Sequence, residues 1–169
     1  LYVFRMLGLF MVIPVMMIYG REYTGSSPFL LGLALGIYGI TQAIFQIPLG
    51  MLSDIWGRKN VIAVGLLIFV AGSVLAAFSE SVWGIILGRA LQGAGAIASS
   101  VLALVGDLTS EQNRTKSMSV IGVSFGLSFT VALSLGPTLA AVGGLVATFW
   151  LSSAVAVVGL FVLFFLVPT

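Results

Sequence analysis

The chain is predicted to be an all-α membrane protein with six transmembrane helices, and three observations predict it. Hydrophobic residues make up 60% of its 169 positions and charged residues 7%, where a soluble domain carries about 25% charge. Mean hydropathy is +1.22, which leaves too little polar surface to hold the chain in water. The apolar residues fall into six runs divided by short polar breaks, without the period-two alternation of a membrane barrel.

Each run is near the ~20 residues an α-helix needs to cross the hydrocarbon core. The first, 1–20, starts in mid-helix and lacks both a basic leader and a small-residue cleavage site, so it reads as a span and not a signal peptide. It contains Arg5, Gly8 and Pro14. The second, 29–53, carries Gly32, Gly36 and Gly39, the i, i+4 pair Gln42 and Gln46, and Pro48. The third covers 60–78. In the fourth, 83–106, Arg89, Gln92, Gly93, Ala96 and Ser100 follow i, i+3, i+4, i+7 and i+11, one helical face. The fifth, 117–141, includes Ala132, Gly136 and Pro137, and the sixth covers 146–167. Small residues inside spans allow close helix approach, and the prolines tend to kink their helices. The protein is expected to continue beyond both ends of this chain.

Charge placement gives an orientation. The breaks after the second and fourth runs carry Arg58, Lys59, Arg114 and Lys116, whereas the others carry Arg21 beside Glu22, and Glu80. Cations concentrate in cytoplasmic loops, so both chain ends are expected in the cytoplasm. A net charge of +2 gives no basic face for nucleic acid. The chain has no Cys and no His, which removes thiolate chemistry and imidazole metal sites. No Asp or Glu lies deep in a run, so no nucleophile–base or metal set can be assembled, and no enzyme, metal or cofactor is expected.

Two groups of polar residues stand out. Arg89 lies about seven residues into the fourth run, where a charge costs about 2.5–3.5 kcal/mol on insertion scales. Such a residue faces the protein interior or a water-filled cavity. Gln42 and Gln46 suit either interhelical hydrogen bonding or a solute pathway, and Arg5 either packing or substrate contact. The second group is Gly50-Met-Leu-Ser-Asp54-Ile-Trp-Gly57-Arg58-Lys59, which holds three of the chain's twelve charged side chains. Asp54 would be unfavourable at the C-terminus of its own helix. It therefore calls for a partner outside that helix, such as another helix N-terminus or an Arg. Arg58 is positioned to meet Asp107 at the end of the fourth run, with Arg114 in the same layer.

That ten-residue stretch resembles the cytoplasmic loop motif of the major facilitator superfamily, Gly-x-Leu-x-Asp-Arg-x-Gly-Arg-Arg/Lys, with Ile55 where the motif has Arg. Arg89-Ala-Leu-Gln92-Gly93-Ala-Gly95 resembles its fourth-helix motif. Ala132, Gly136-Pro137 and Ala140-Ala141 resemble the antiporter motif of the fifth helix, with alanines where that motif has glycines. The resemblance covers essentially the whole chain and is strongest to the drug:proton antiporter-like branch. It implies twelve spans in two six-helix halves, each built of two inverted three-helix repeats. Residues 1–169 would be the N-terminal half, truncated before its first span and lacking the C-terminal six-helix half as its partner.

The same resemblance implies what the residues do. Arg5, Arg89 and Gln92 would face substrate, with Gln42, Gln46 and Gly93 contributing to the cavity or to coupling. Gly50, Asp54, Gly57, Arg58, Lys59, Asp107 and Arg114 would form a gate that latches the two halves. Ala132, Gly136 and Pro137 would pack helices. The implied activity is secondary-active transport of small organic solutes across a bacterial inner membrane, by proton-coupled efflux. The proton carrier would then lie in the missing half, or Asp54 would titrate. The alternatives are uptake of a polar or anionic metabolite, by facilitated transport or proton symport on the same fold, and a non-transporting membrane subunit.

Overall fold

In the computed structural model, which describes residues 1–168, helices begin where local chemistry favours them. Helix α1 covers Tyr2–Tyr19 and runs into a short 3₁₀ turn, Gly20–Glu22. Helix α2, Pro28–Trp56, has proline in its first turn, and the Ser27 side chain accepts from the Leu30 amide at 3.2 Å. Gly57, at φ 94°, makes the one-residue turn into α3, Arg58–Phe78. Ser81 caps α4, Val82–Ala94, by accepting from the Trp83 amide at 3.3 Å. Helix α5 covers Ala98–Leu108, a second 3₁₀ turn Glu111–Asn113, and helix α6 Arg114–Phe165.

Five stretches are long and apolar enough to cross a membrane: Tyr2–Glu22, Pro28–Trp56, Arg58–Phe78, Val82–Leu108 and Glu111–Phe165. There is no β-sheet among the described residues. The last stretch differs from the rest. Its helix is 52 residues long, about 78 Å at 1.5 Å per residue, against a hydrocarbon core of ~30 Å. Gly144 leaves helical geometry at φ 67°, ψ −164° and divides it into residues 114–143 and 145–165, in the interval where the sequence pattern separates 117–141 from 146–167.

Two expectations are corrected. The fourth run is not one helix, because the backbone opens at Gly95 (ψ 43°) and α5 restarts after Ile97. Glycine leaves helical geometry at low cost, and so Arg89, Gln92 and Gly93 do not share a continuous face with Ser100. Arg58 and Lys59 are not loop residues either. They open α3, two cations at the positive end of a helix, and each therefore needs a counter-partner.

Helix α1 lies mainly along α6, α3 lies about equally along α4 and α6, and α2 lies mainly along α4. Val12, Met16, Leu31, Ala34, Ile85 and Phe149 form part of the largest buried apolar cluster. Gly72 and Gly88 bring α3 and α4 into backbone contact: a Cβ on Gly72 would stand 2.6 Å from the Gly88 carbonyl oxygen. At the end of the bundle opposite the Gly57 turn, two loops are tied by an isolated bridge between Thr24 and Ser81. There the Thr24 amide donates to Glu80 O at 3.2 Å and the Val82 amide donates to Thr24 O at 3.1 Å.

Candidate functional site

The Gly50–Lys59 stretch builds a network around one guanidinium. Arg58 pairs through Nη1 with the Asp54 carboxylate and donates from Nε to Asp107 Oδ2 at 3.0 Å. Nη1 also donates to Ser53 Oγ at 2.7 Å, and Ser53 in turn donates to the Gly50 carbonyl at 2.6 Å. Asp54 closes α2 and Asp107 closes α5, so both carboxylates sit at helix C-termini while Arg58 sits at an N-terminus. Each placement is unfavourable alone, and joining them relieves all three. The two acid side chains are more than half exposed, so each pair is worth only about 0–1 kcal/mol. A link of that size can be broken and remade during a conformational cycle.

The other residues of the stretch have separate roles. Lys59 Nζ donates to Val167 O at 2.9 Å and Phe164 O at 3.5 Å, and lies 5.9 Å from the Phe164 ring centroid. It therefore caps the end of α6 and does not join the carboxylates. Gly50 brings α2 close to Ser99, whose hydroxyl donates to Gln46 O at 3.1 Å. Among the described residues Arg114 makes no ion pair and is exposed, so the layer cluster forms without it.

The second constellation is deep in the bundle. Arg5 and Arg89 are 0% and 1% exposed, and Gln92 is fully buried. Arg89 donates from Nη1 to Gln92 Oε1 at 2.8 Å and from Nε to Ala34 O at 3.4 Å. Gln92 Nε2 donates to Ser73 Oγ at 2.7 Å, and the Ser73 hydroxyl donates to Phe69 O at 2.9 Å. Tyr38 links the two arginines, its ring centroid 4.7 Å from Arg89 Cζ and 5.6 Å from Arg5 Cζ. Gly93 lies against Thr41 and the Tyr38 carbonyl, leaving no room for a Cβ.

The residues expected at one cavity are thus divided. Arg5, Arg89, Gln92 and Gly93 are enclosed by α1, α2, α3, α4 and α6, whose Ala156 packs with Tyr38 and Phe69. Gln42 and Gln46 line a groove of about 410 Å³ with Gly39, Ala43 and Ile47, and Gln42 Nε2 donates to Gln46 Oε1 at 3.4 Å. Ala132 and Gly136 are buried and Pro137 exposed; Gly136 lies against the Met11 backbone, which fastens the first segment of α6 to α1.

Sequence reasoning missed Ser53, Tyr38 and Ser73. Tyr38 continues the i, i+4 series of Gln42 and Gln46 back along α2, a usable signal. Ser73 carried none. A serine in an apolar helix usually bonds its own i−4 carbonyl, as Ser73 also does.

Residues 1–169 match the family model described as Major Facilitator Superfamily. The inner membrane transport protein YajR of Escherichia coli (strain K12) is 57% identical over 97% of this chain and 36% of its own length. An uncharacterized transporter of Buchnera aphidicola subsp. Schizaphis graminum is 45% identical over 99% of the chain and 43% of its length. The class B tetracycline resistance protein of Escherichia coli is 35% identical over 77% of the chain and 33% of its length. The chain thus spans well under half the length of these relatives.

Proposed function

The chain belongs to the major facilitator superfamily, a family of transporters and not enzymes, and we propose that the protein it comes from exports small organic solutes across a bacterial inner membrane by proton-coupled alternating access. In this reading α6 crosses twice, on either side of Gly144, and α4 with α5 crosses once. Six crossings then form two inverted three-helix repeats, with both chain ends in the cytoplasm. Residues 1–169 are the N-terminal six-helix half. The remaining length of the relatives corresponds to a C-terminal half that closes a midplane solute cavity. Export is favoured over import by the similarity to a tetracycline resistance protein.

The observation that carries the proposal is the Asp54–Arg58–Asp107 network. It is polar, weak and placed at helix ends, which suits a latch that closes the cytoplasmic side in the outward-open state. Loosening such a latch shifts the population toward the inward-open state. The test is drug tolerance in an efflux-deficient strain, combined with proton release from inside-out vesicles on addition of solute. Full-length protein should raise tolerance and dissipate the proton gradient, and Asp54→Asn should reduce both. Unchanged tolerance across a panel of amphipathic solutes, with no proton movement, would refute export; solute accumulation by intact cells would point to uptake.

A further inference from the structure

A guanidinium has five N–H donors and stays charged at every accessible pH. Arg89 uses two nitrogens on Ala34 O and Gln92 Oε1. Arg5 is equally buried, yet its Nε, Nη1 and Nη2 have no hydrogen-bond partner, and neither does Tyr38 Oη. Its neighbours are ring faces, Tyr38 at 5.6 Å and Phe69 at 5.9 Å. Cation–π contact of this kind does not replace the hydration of a buried ion. Arg89 approaches the same Tyr38 ring at 4.7 Å, so two like charges flank one phenol.

The counter-charge does not come from this chain. Its five acids are Glu22, Asp54, Glu80, Asp107 and Glu111. All five are exposed at helix ends, and Arg58 already engages two of them. Tyr38 lies about ten residues into α2 and Arg89 seven into α4, depths of about 15 Å and 10 Å at 1.5 Å per residue. An acid that reaches this level must arrive on a solute or on another span.

We propose that Arg5 and the Tyr38 hydroxyl form an oxyanion site that takes one carboxylate. The flat guanidinium edge offers paired donors matched to the two carboxylate oxygens, and the phenol supplies a further donor. Arg89 provides a second positive pole across the ring. The carboxylate belongs either to an organic-anion solute or to an Asp or Glu side chain of the protein outside this chain. The solute arm rests on the transport reading; the side-chain arm does not.

The experiment is thermal unfolding of the full-length protein in detergent, with sodium benzoate as the solute probe and sodium chloride at equal ionic strength as the reference. Variants are Arg5→Gln and Tyr38→Phe, the second keeping the ring that both guanidiniums face and removing only its O–H. If a solute fills the site, benzoate raises Tm by about 1.5 °C at ten times its dissociation constant. That shift is lost in Arg5→Gln and reduced in Tyr38→Phe. If a side chain fills it, benzoate has no effect, but Arg5→Gln leaves a buried carboxylate without its cation. The Tm deficit of Arg5→Gln is then several degrees larger at pH 8 than at pH 5, where the acid can be protonated.

The charged or titratable groups around Arg5 are Tyr2 of its own helix, Tyr38 of α2 and Arg89 of α4. Helices α3 and α6 carry charge only near their starts, at Arg58, Lys59, Arg114 and Lys116. Tyrosine, lysine and arginine side chains ordinarily titrate above pH 8, so a pH-dependent deficit reports the added acid. No benzoate shift, together with a deficit equal at both pH values, would overturn the proposal and leave Arg5 as a packed cation. Because unfolding does not require flux, this failure is separable from failure of the export assay.

Discussion

Replacing Gly72 or Gly88 with alanine tests how the buried arginine cluster is held. A methyl at Gly72 would lie 2.6 Å from the Gly88 carbonyl oxygen and 2.7 Å from the Gln92 amide nitrogen. A methyl at Gly88 would lie 2.7 Å from the Gly72 oxygen and 2.8 Å from Ala76 Cβ. Ordinary contact begins near 3.4 Å, so α3 and α4 must part by about 0.7 Å. The obstructing atoms are mostly backbone and cannot swing aside. The same movement stretches the 2.7 Å Gln92–Ser73 bond to about 3.4 Å, beyond the useful range.

Overpacking costs about 1–3 kcal/mol and the weakened buried bond about 1 kcal/mol. Better helix propensity returns about 1 kcal/mol, so the net destabilisation is about 1–3 kcal/mol. The assay is SDS-titration unfolding of the full-length protein followed by tryptophan fluorescence. Ser73→Ala in the Gly72→Ala background should add less than it does alone, because the two changes act on one bond. Alanine variants that unfold at or above the wild-type midpoint would refute the backbone contact, and additive effects would refute the link to Gln92.

Three further outcomes are expected. Arg58→Ala leaves Asp54 and Asp107 facing each other at helix C-termini. It should shift the open–closed balance by about 1–2 kcal/mol, read as faster maleimide labelling of a cysteine introduced at Asn60. Lys59→Met removes the donor to Val167 O and Phe164 O and should cost about 0.5–1.5 kcal/mol, with faster amide exchange over residues 164–167; Lys59→Arg should restore most of the protection. Gly144→Ala forces a side chain into a region open essentially to glycine and should cost about 1–3 kcal/mol, measured by the same unfolding titration.

Most of the fold was legible because lipid imposes a simple rule: long apolar runs, interrupted where the backbone must meet water. The Gly143–Gly144 interruption was readable on those terms. The break at Gly95–Ile97 was not, since Gly-Ala-Ile is as apolar as a continuous helix. The extent of α3 was misread for the opposite reason. Arg58 and Lys59 looked like loop residues, yet carboxylates and carbonyls from other elements allow them to start a helix. At the candidate site, the charged residues announced themselves by their cost in lipid. Tyr38, which stands between Arg5 and Arg89, is an unremarkable aromatic until three helices are brought together.

The bridge between Thr24 and Ser81 has a bearing on chemistry some distance away. Two backbone hydrogen bonds span loops that lead directly into α2 and α4. Sliding one helix past the other by a single residue, 1.5 Å, would break both. The loops therefore act as a vernier stop that fixes the register of α4 on α2. That register sets Gly93 against the Tyr38 carbonyl and brings Arg89 Nε under Ala34 O. Thr24→Pro, which deletes the amide donated to Glu80, would be felt about 10 Å away along α4 as a misaligned guanidinium.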